Sequence, residues 1–349
     1  MNKNNNFKKT ELSTLGEFGL IDRLTKNIKI HHKETIKGVG DDAAVFDYHS
    51  NRVVVTTDWL IEGVHFNLGF TPLKHLGYKA VTVNISDLIA MNAFPKQILV
   101  SIAVSNRFGV EAIDELYSGI KAACDDYQVD LAGGDTSSSL QGLMISITAF
   151  GAVTSDKTVY RSGANSKDII CVTGNLGAAY MGLSLLEREN KIFKSDPSIQ
   201  PDLTGHEYIL QRQLRPFART DIKAFFDKVD LIPTSMIDIS DGLSSEAIHL
   251  CKSSGKGCII YEEKIPVADE TVKMADELGI EPIICALNGG EDYELLFSVK
   301  PEDYSKIKDN EEITAIGYFT EEREKMLLEL KNGKCIPLNA QGWNAFLNE

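Results

Sequence analysis

Ile237-Asp238-Ile239-Ser240-Asp241-Gly242-Leu243 carries an apolar strand into a hydroxyl and a carboxylate, just where a helix begins. The unpaired N–H groups of a first helical turn favour anions, so a nucleotide phosphate suits this junction. An ordinary Ser or Asp cap would explain Asp241 but not Asp238, which sits inside the strand. The same device, an acid at the end of an apolar run, recurs upstream in Gly40-Asp41-Asp42, Thr56-Thr57-Asp58, Ser86-Asp87 and Gly133-Gly134-Asp135-Thr136. The pattern predicts an α/β chain whose carboxylates converge on divalent cations. Hard cations such as Mg²⁺ take oxygen ligands and are usually held by a few carboxylates plus substrate phosphates.

Flanking these acids, β-branched runs at 53–57, 98–104 and 143–153 predict strands, with helices at 74–91 and 111–127 between them. On the first helix Ala80, Asn84, Asp87 and Met91 share one face, which points Asp87 inward at the helix end. Residues 1–154 read as one compact unit, and the polar, Ser/Gly-rich stretch 154–168 as a domain junction. A second unit, 155–349, follows, with strands at 168–173, 236–239, 293–299 and 313–318 and helices at 176–187 and 243–253. The weakly patterned stretch 189–205 is expected to be a surface insertion.

A chain of 349 residues, 43% hydrophobic and 25% charged, has room for two cores. Its net charge of -14 argues against nonspecific binding to nucleic acid or to a membrane surface, both of which recruit Lys and Arg. Much of the excess is solvated surface; Glu262-Glu263 and Glu311-Glu312 read as surface pairs. The six cysteines form no C-x-x-C and several lie in apolar runs, fitting reduced, buried thiols in a cytoplasm. Residues 1–9 are polar and read as a disordered lead rather than a signal peptide, and no apolar stretch reaches membrane-spanning length.

Individual motifs carry unequal weight. Adjacent carboxylates such as Asp41-Asp42 repel one another, so burying them requires a counter-cation, although Gly-Asp-Asp is also a common turn. The paired glycines before Asp135 would let backbone approach a phosphate. No Walker A loop, H-E-x-x-H or Cys/His cluster occurs, which argues against a P-loop and against zinc. Arg161, beside Ser162 and Gly163, suits a polyphosphate or an exposed linker equally. His65 taken alone reads as a structural hydrogen-bonding residue. In Gly289-Gly290-Glu291-Asp292-Tyr293-Glu294, Glu291 and Asp292 repeat the acidic-turn logic, whereas Glu294 reads as a surface acid.

Taken in order, G-V-G-D-D-A-A-V (38–45), T-T-D-W-L-I-E-G-V-H-F (56–66), N-I-S-D-L (84–88), G-G-D-T (133–136), R-S-G-A (161–164), D-I-S-D-G-L (238–243) and G-G-E-D-Y-E-L-L-F (289–297) resemble the thiamine-monophosphate kinase family. The likeness runs over about 16–343, and single motifs are shared across the wider aminoimidazole-ribonucleotide synthetase-like superfamily. It implies a two-domain α/β (α+β) fold, an N-terminal sheet-plus-helices domain that pairs in a homodimer, and a larger C-terminal α/β domain. By motif position, Asp41, Thr56, Thr57, Asp58, Asp87, Asp135 and Asp238 would hold several Mg²⁺ ions, with Asp241 at a further metal. Tyr117, Gly134, Asp135, Arg161 and Ser240 would contact ATP, and His65, Glu291 and Trp343 would hold thiamine phosphate. K⁺ stands as a further candidate ion. Asn92 replaces a frequent family glycine, tolerable if its backbone is left-handed.

The implied reaction is ATP-dependent phosphorylation of thiamine phosphate to thiamine diphosphate by direct in-line transfer, with no residue acting as acid or base. Another ATP-dependent synthetase of the superfamily and a metal-dependent phosphohydrolase are the alternatives. Selenophosphate synthetases usually carry an early reactive Cys; here none precedes Cys124.

Overall fold

The computed structural model describes residues 35–37, 40–47 and 51–340. Trp343, Gly38, Val39 and the polar lead at 1–9 lie outside them. The first half is a six-stranded sheet: β1 (Thr35–Lys37), β2 (Ala44–Asp47), β3 (Asn51–Ile61), β4 (Phe94–Val104), β5 (Asp130–Ser138) and β6 (Leu143–Thr154), ordered β1-β2-β3-β6-β4-β5. Helix α1 (Leu73–Ala90) joins β3 to β4, and α2 (Val110–Tyr127) makes the crossover between the parallel neighbours β4 and β5.

The second half is a seven-stranded sheet of β7 (Ile169–Thr173), β8 (Ser235–Asp238), β9 (Gly257–Tyr261), β10 (Leu295–Val299), β11 (Ile313–Thr320), β12 (Met326–Glu329) and β13 (Cys335–Pro337). Its order is β13-β12-β9-β11-β7-β10-β8. Helices α3 (Ala178–Ser195), α4 (Glu207–Leu214), α5 (Thr220–Lys228), α6 (Leu243–Ser254), α7 (Asp269–Leu278) and α8 (Pro282–Asn288) surround it. The sheets divide across 155–168, the polar stretch. No helix of the described residues is long and apolar enough to cross a membrane.

Helix α1 holds the halves together. From Leu76 to Ala90 almost every side chain is buried, the signature of a helix enclosed on all sides. It lies on β3, β4 and β6 and also packs against β8 and α4. Strand β8 ends its sheet in the strand order, yet all four of its residues are buried. One continuous core therefore joins Val45, Ile85 and Leu88 to Phe226, Met236 and Phe297. The helix stops at Met91, and Asn92 adopts φ 58°, the left-handed backbone expected there, while its side chain donates to Lys157 O at 2.7 Å.

Two expectations change. Helix α3 continues to Ser195, and Glu189 is buried near its end, where it accepts the Asp202 N–H at 3.1 Å. The loop thus starts after α3, whose packed face ends at Glu189 and whose last turns run on into solvent. Glu294 is also buried rather than superficial: Arg219 Nη1 lies 2.7 Å away, Arg212 Nη1 2.9 Å, and the Thr173 hydroxyl donates at 2.6 Å. Glu294 reads as a surface acid because the two arginines that meet it, Arg212 and Arg219, are remote in sequence. Five of the six cysteines are buried and unpaired.

Removing one partner of a buried ion network leaves charge uncompensated. Glu294→Ala should lower the unfolding free energy by about 3–5 kcal/mol in chemical denaturation, because two guanidiniums lose their carboxylate.

Candidate active site

Side chains alternate along β3, so Thr56 and Asp58 face α1 while Thr57 faces the other side of the sheet. The segment before β2 brings Asp41 and Asp42, the last turn of α1 brings Ser86 and Asp87, and the end of β8 brings Asp238. Oxygens from Asp42, Asp87 and Asp238 lie within 4.8 Å of one another. Hydroxyls hold two of these acids in place: Thr56 Oγ1 donates to Asp87 at 2.6 Å and Ser86 Oγ to Asp238 at 2.6 Å. Arg161 grips Asp42 with Nε and Nη2, both at 2.9 Å, and its backbone N–H donates to Asp41 at 3.1 Å.

Burial and mutual repulsion dominate the electrostatics. Burial, then Asp58 and Asp238, push Asp87 well above the usual carboxylate range. Burial and Asp42 raise Asp238 to about 8; burial alone raises Asp58 to about 6. Asp41 rises to about 6 through burial and Asp42, and its buried Oδ2 accepts no hydrogen bond, with Lys37 Nζ 3.5 Å away. A bidentate guanidinium and one lysine do not offset five carboxylates. An all-oxygen donor set with an excess of negative charge fits a hard divalent cation.

A second pair of turns adjoins this cluster. Glu291 N–H donates to Ser240 O at 2.7 Å and Tyr293 N–H to Ile239 O at 2.9 Å, which ties the Gly289–Glu294 motif to the Asp238–Leu243 motif. Glu291 and Tyr293 hold φ of 57° and 51°, a costly conformation for residues with side chains. At Gly290, φ 71°, a Cβ would meet Ser240 O at 2.4 Å. Glu246, buried in the first turn of α6, accepts the Asp241 N–H at 2.8 Å and the Ser240 N–H at 3.3 Å.

The Glu291 carboxylate is held by Lys79 Nζ at 2.8 Å and Gln213 Nε2 at 3.0 Å. His65 is close enough for burial to lower its pKa against an opposing pull from Glu291. Its Nδ1 accepts the Ile61 N–H at 3.0 Å, which leaves Nε2 to carry the proton of the neutral ring. Lys79 and Asp87 sit eight residues apart on α1, about 12 Å along the axis. The helix thus spans from the His65–Glu291 pair to the acidic cluster.

Other candidates stand apart within one chain. Gly134 and Asp135 lie on the exposed edge strand β5. The cross-sheet row Asp58–Ile147–Val100–Gly134 separates that strand from Asp58 by three strand spacings, about 14 Å. Glycine at 134 is demanded by strand pairing, since a Cβ there would fall 1.8 Å from Val100 O. Thr57 donates to Ile147 O at 3.1 Å on the face away from the acids. Tyr117 is half-buried on α2, outside the bonds that organise the cluster. Sequence reasoning left Asp42 out of the ligand set and passed over Ser86, Lys79, Gln213 and Glu246. The doubled acid at 41–42 was the available signal for the first; the others are ordinary residues on helices until tertiary contacts place them.

Residues 40–153 match the family model described as AIR synthase related protein, N-terminal domain. Over 335 residues, 96% of this chain and 99% of the relative, the sequence is 35% identical to the thiamine-monophosphate kinase of Aquifex aeolicus. The chain belongs to the thiamine-monophosphate kinase family. The Bacillus subtilis thiamine-monophosphate kinase is 32% identical over 341 residues, 95% of this chain and all of the relative. A solved structure described as AaThiL complexed with AMPPCP and TMP superposes with a TM-score of 0.82 at 34% identity, covering 97% of this chain and 99% of that one. The protein is thus a kinase with the mixed α/β, aminoimidazole-ribonucleotide synthetase-like fold.

Asp87→Asn removes one of the mutually repelling buried charges. Without divalent metal it should raise stability by about 1 kcal/mol, and any rise in melting temperature that MgCl₂ gives the parent should be lost in the variant. Calorimetry in EDTA and in MgCl₂ measures both.

Proposed function

We propose that this chain transfers the γ-phosphoryl group of ATP to thiamine phosphate, forming thiamine diphosphate by in-line displacement without a phosphoenzyme. The carrying observation is the buried carboxylate group of Asp42, Asp87 and Asp238 at one end of α1, with His65 and Glu291 at the other. Asp41, Asp42, Asp58, Asp87 and Asp238 would hold Mg²⁺ ions, with the Thr56 hydroxyl orienting Asp87 and Asp241 at a further metal. Bound Mg²⁺ supplies charge neutralisation that lets two anionic phosphates approach. K⁺ remains a candidate auxiliary ion.

The chain's own groups then have two tasks, positioning and orientation. Ser240, held by Glu246 at the start of α6, offers polar groups to the ATP phosphates. Arg161 retains Nη1 outside its pair with Asp42 and can meet the same polyphosphate. Tyr117, Gly134 and Asp135 are assigned to the rest of the nucleotide, which would extend across the sheet toward β5. Glu291 and His65, with Trp343, are assigned to the organic part of thiamine phosphate. An acceptor phosphate oxygen is already deprotonated near neutral pH, so no general base is required.

Residues 1–154 are assigned to metal, ATP and pairing, and 155–349 to completing the nucleotide and substrate site. Support for a homodimer comes from the sheet face away from α1. Val55 and Trp59 of β3, Phe150 of β6 and Leu99 of β4 share that face by register and alternation, and Trp59 is 53% exposed. Apolar patches of this kind mark association surfaces.

With ATP and Mg²⁺, the protein should form thiamine diphosphate from thiamine phosphate, leave free thiamine unphosphorylated, and release little phosphate in the absence of acceptor. Asp238→Asn should lower kcat by about 100-fold or more, the scale expected for losing an electrostatic element of the transition state. Rapid ATP hydrolysis without acceptor, or label retained on the protein, would count against the proposal. Trp59→Glu with Leu99→Glu should convert the dimer to monomer by light scattering.

A further inference from the structure

The proposed reading gives Glu291 to the acceptor; the structure also shows what holds Glu291. We infer that Lys79, assisted by Gln213, is a positioning residue for the acceptor, acting through Glu291 on acceptor binding rather than on ATP binding or the transfer step. An ammonium group on a helix enclosed by two sheets needs compensation for its lost hydration. Lys79 is 5% exposed, and its Nζ is placed against Glu291 Oε1 at 2.8 Å and Gln213 O at 3.2 Å. Gln213, itself buried, donates from Nε2 to the other Glu291 oxygen at 3.0 Å. Both carboxylate oxygens are thus gripped from within. The Glu291 side chain nevertheless keeps 30% of its surface exposed, against 7% for Lys79. The exposed part of the carboxylate, whose oxygens keep further lone pairs, is where an acceptor can reach it.

The backbone supports the same reading. Glu291 holds φ 57°, with its N–H fixed on Ser240 O at 2.7 Å, so main chain and side chain are both fixed before a ligand arrives. Beside it, His65 has its Nδ1 engaged by Ile61 N–H. Lys79 and Glu291 act on that imidazole in opposite directions, and burial favours the neutral ring. The outcome is a fixed carboxylate acceptor, which suits the exocyclic N–H groups of an amino-substituted heteroaromatic ring such as the one thiamine phosphate carries.

The test is steady-state kinetics, with each substrate varied, on Lys79→Met, Glu291→Gln and the double variant. Lys79→Met should raise KM for thiamine phosphate about tenfold or more while leaving KM for ATP and kcat within about threefold. In the Glu291→Gln background the same change should add less than about threefold, because the two residues act as one unit. If Lys79→Met does not fold, by thermal melting, Gln213→Leu keeps the backbone carbonyl and should give the same split at about threefold. Equal rises in both KM values, a loss confined to kcat, an unchanged KM, or effects that multiply with Glu291→Gln would each overturn the inference. A parent enzyme that forms no thiamine diphosphate would defeat the functional reading first, and this inference with it.

Discussion

Like charges forced together in a nearly dry space set the terms for everything around them. Asp42, Asp87 and Asp238 come from three distant parts of the chain and meet where burial alone would drive them to protonate. Such a cluster persists only if the surrounding framework is rigid enough to impose it. That rigidity comes from α1, enclosed between two sheets, from Thr56 and Ser86, whose hydroxyls satisfy one oxygen each of Asp87 and Asp238, and from Arg161, which clamps Asp42. Assembling these acids costs local stability, and on the proposed reading a bound cation would offset that cost.

The other end of α1 obeys a different constraint. There the charges are matched: Lys79 with Glu291, and beyond them Arg212 and Arg219 with Glu294 and Arg212 with Asp292. Asp292 is further bound by the Gly177 N–H at 2.7 Å. Paired charges hold the Glu291 end in place, whereas the acids at the other end are left in excess. One helix therefore carries two electrostatic regimes, separated by about two turns.

Much of this was legible in the sequence because it is written in local chemistry. β-Branched runs located β3, β4 and β6, helical periodicity located α1 and α2, and the left-handed backbone at Asn92 followed from the amide replacing a glycine. Acids at the ends of apolar runs marked Asp87 and Asp238. What stayed hidden depends on partners remote in sequence. Glu294 reads as a surface acid until Arg212 and Arg219 are brought over β10, and Glu189 reads as loop until the Asp202 N–H reaches it. Sequence could not show that Gly134 also answers to strand pairing, where a Cβ would meet the Val100 carbonyl. Both acids of the adjacent pair Asp41 and Asp42 turn inward, and it is the tertiary contact with Asp87 and Asp238 that singles out Asp42.

The hydrophobic core that runs unbroken from Val45 through Leu88 to Phe297 bears on how the enzyme can move. Kinases that close by swinging one lobe over another need an interface that can shear apart. Here the two sheets are welded through buried side chains, so large rigid-body closure would tear the centre of the molecule. Motion that accompanies binding is then expected in surface segments rather than in this shared core.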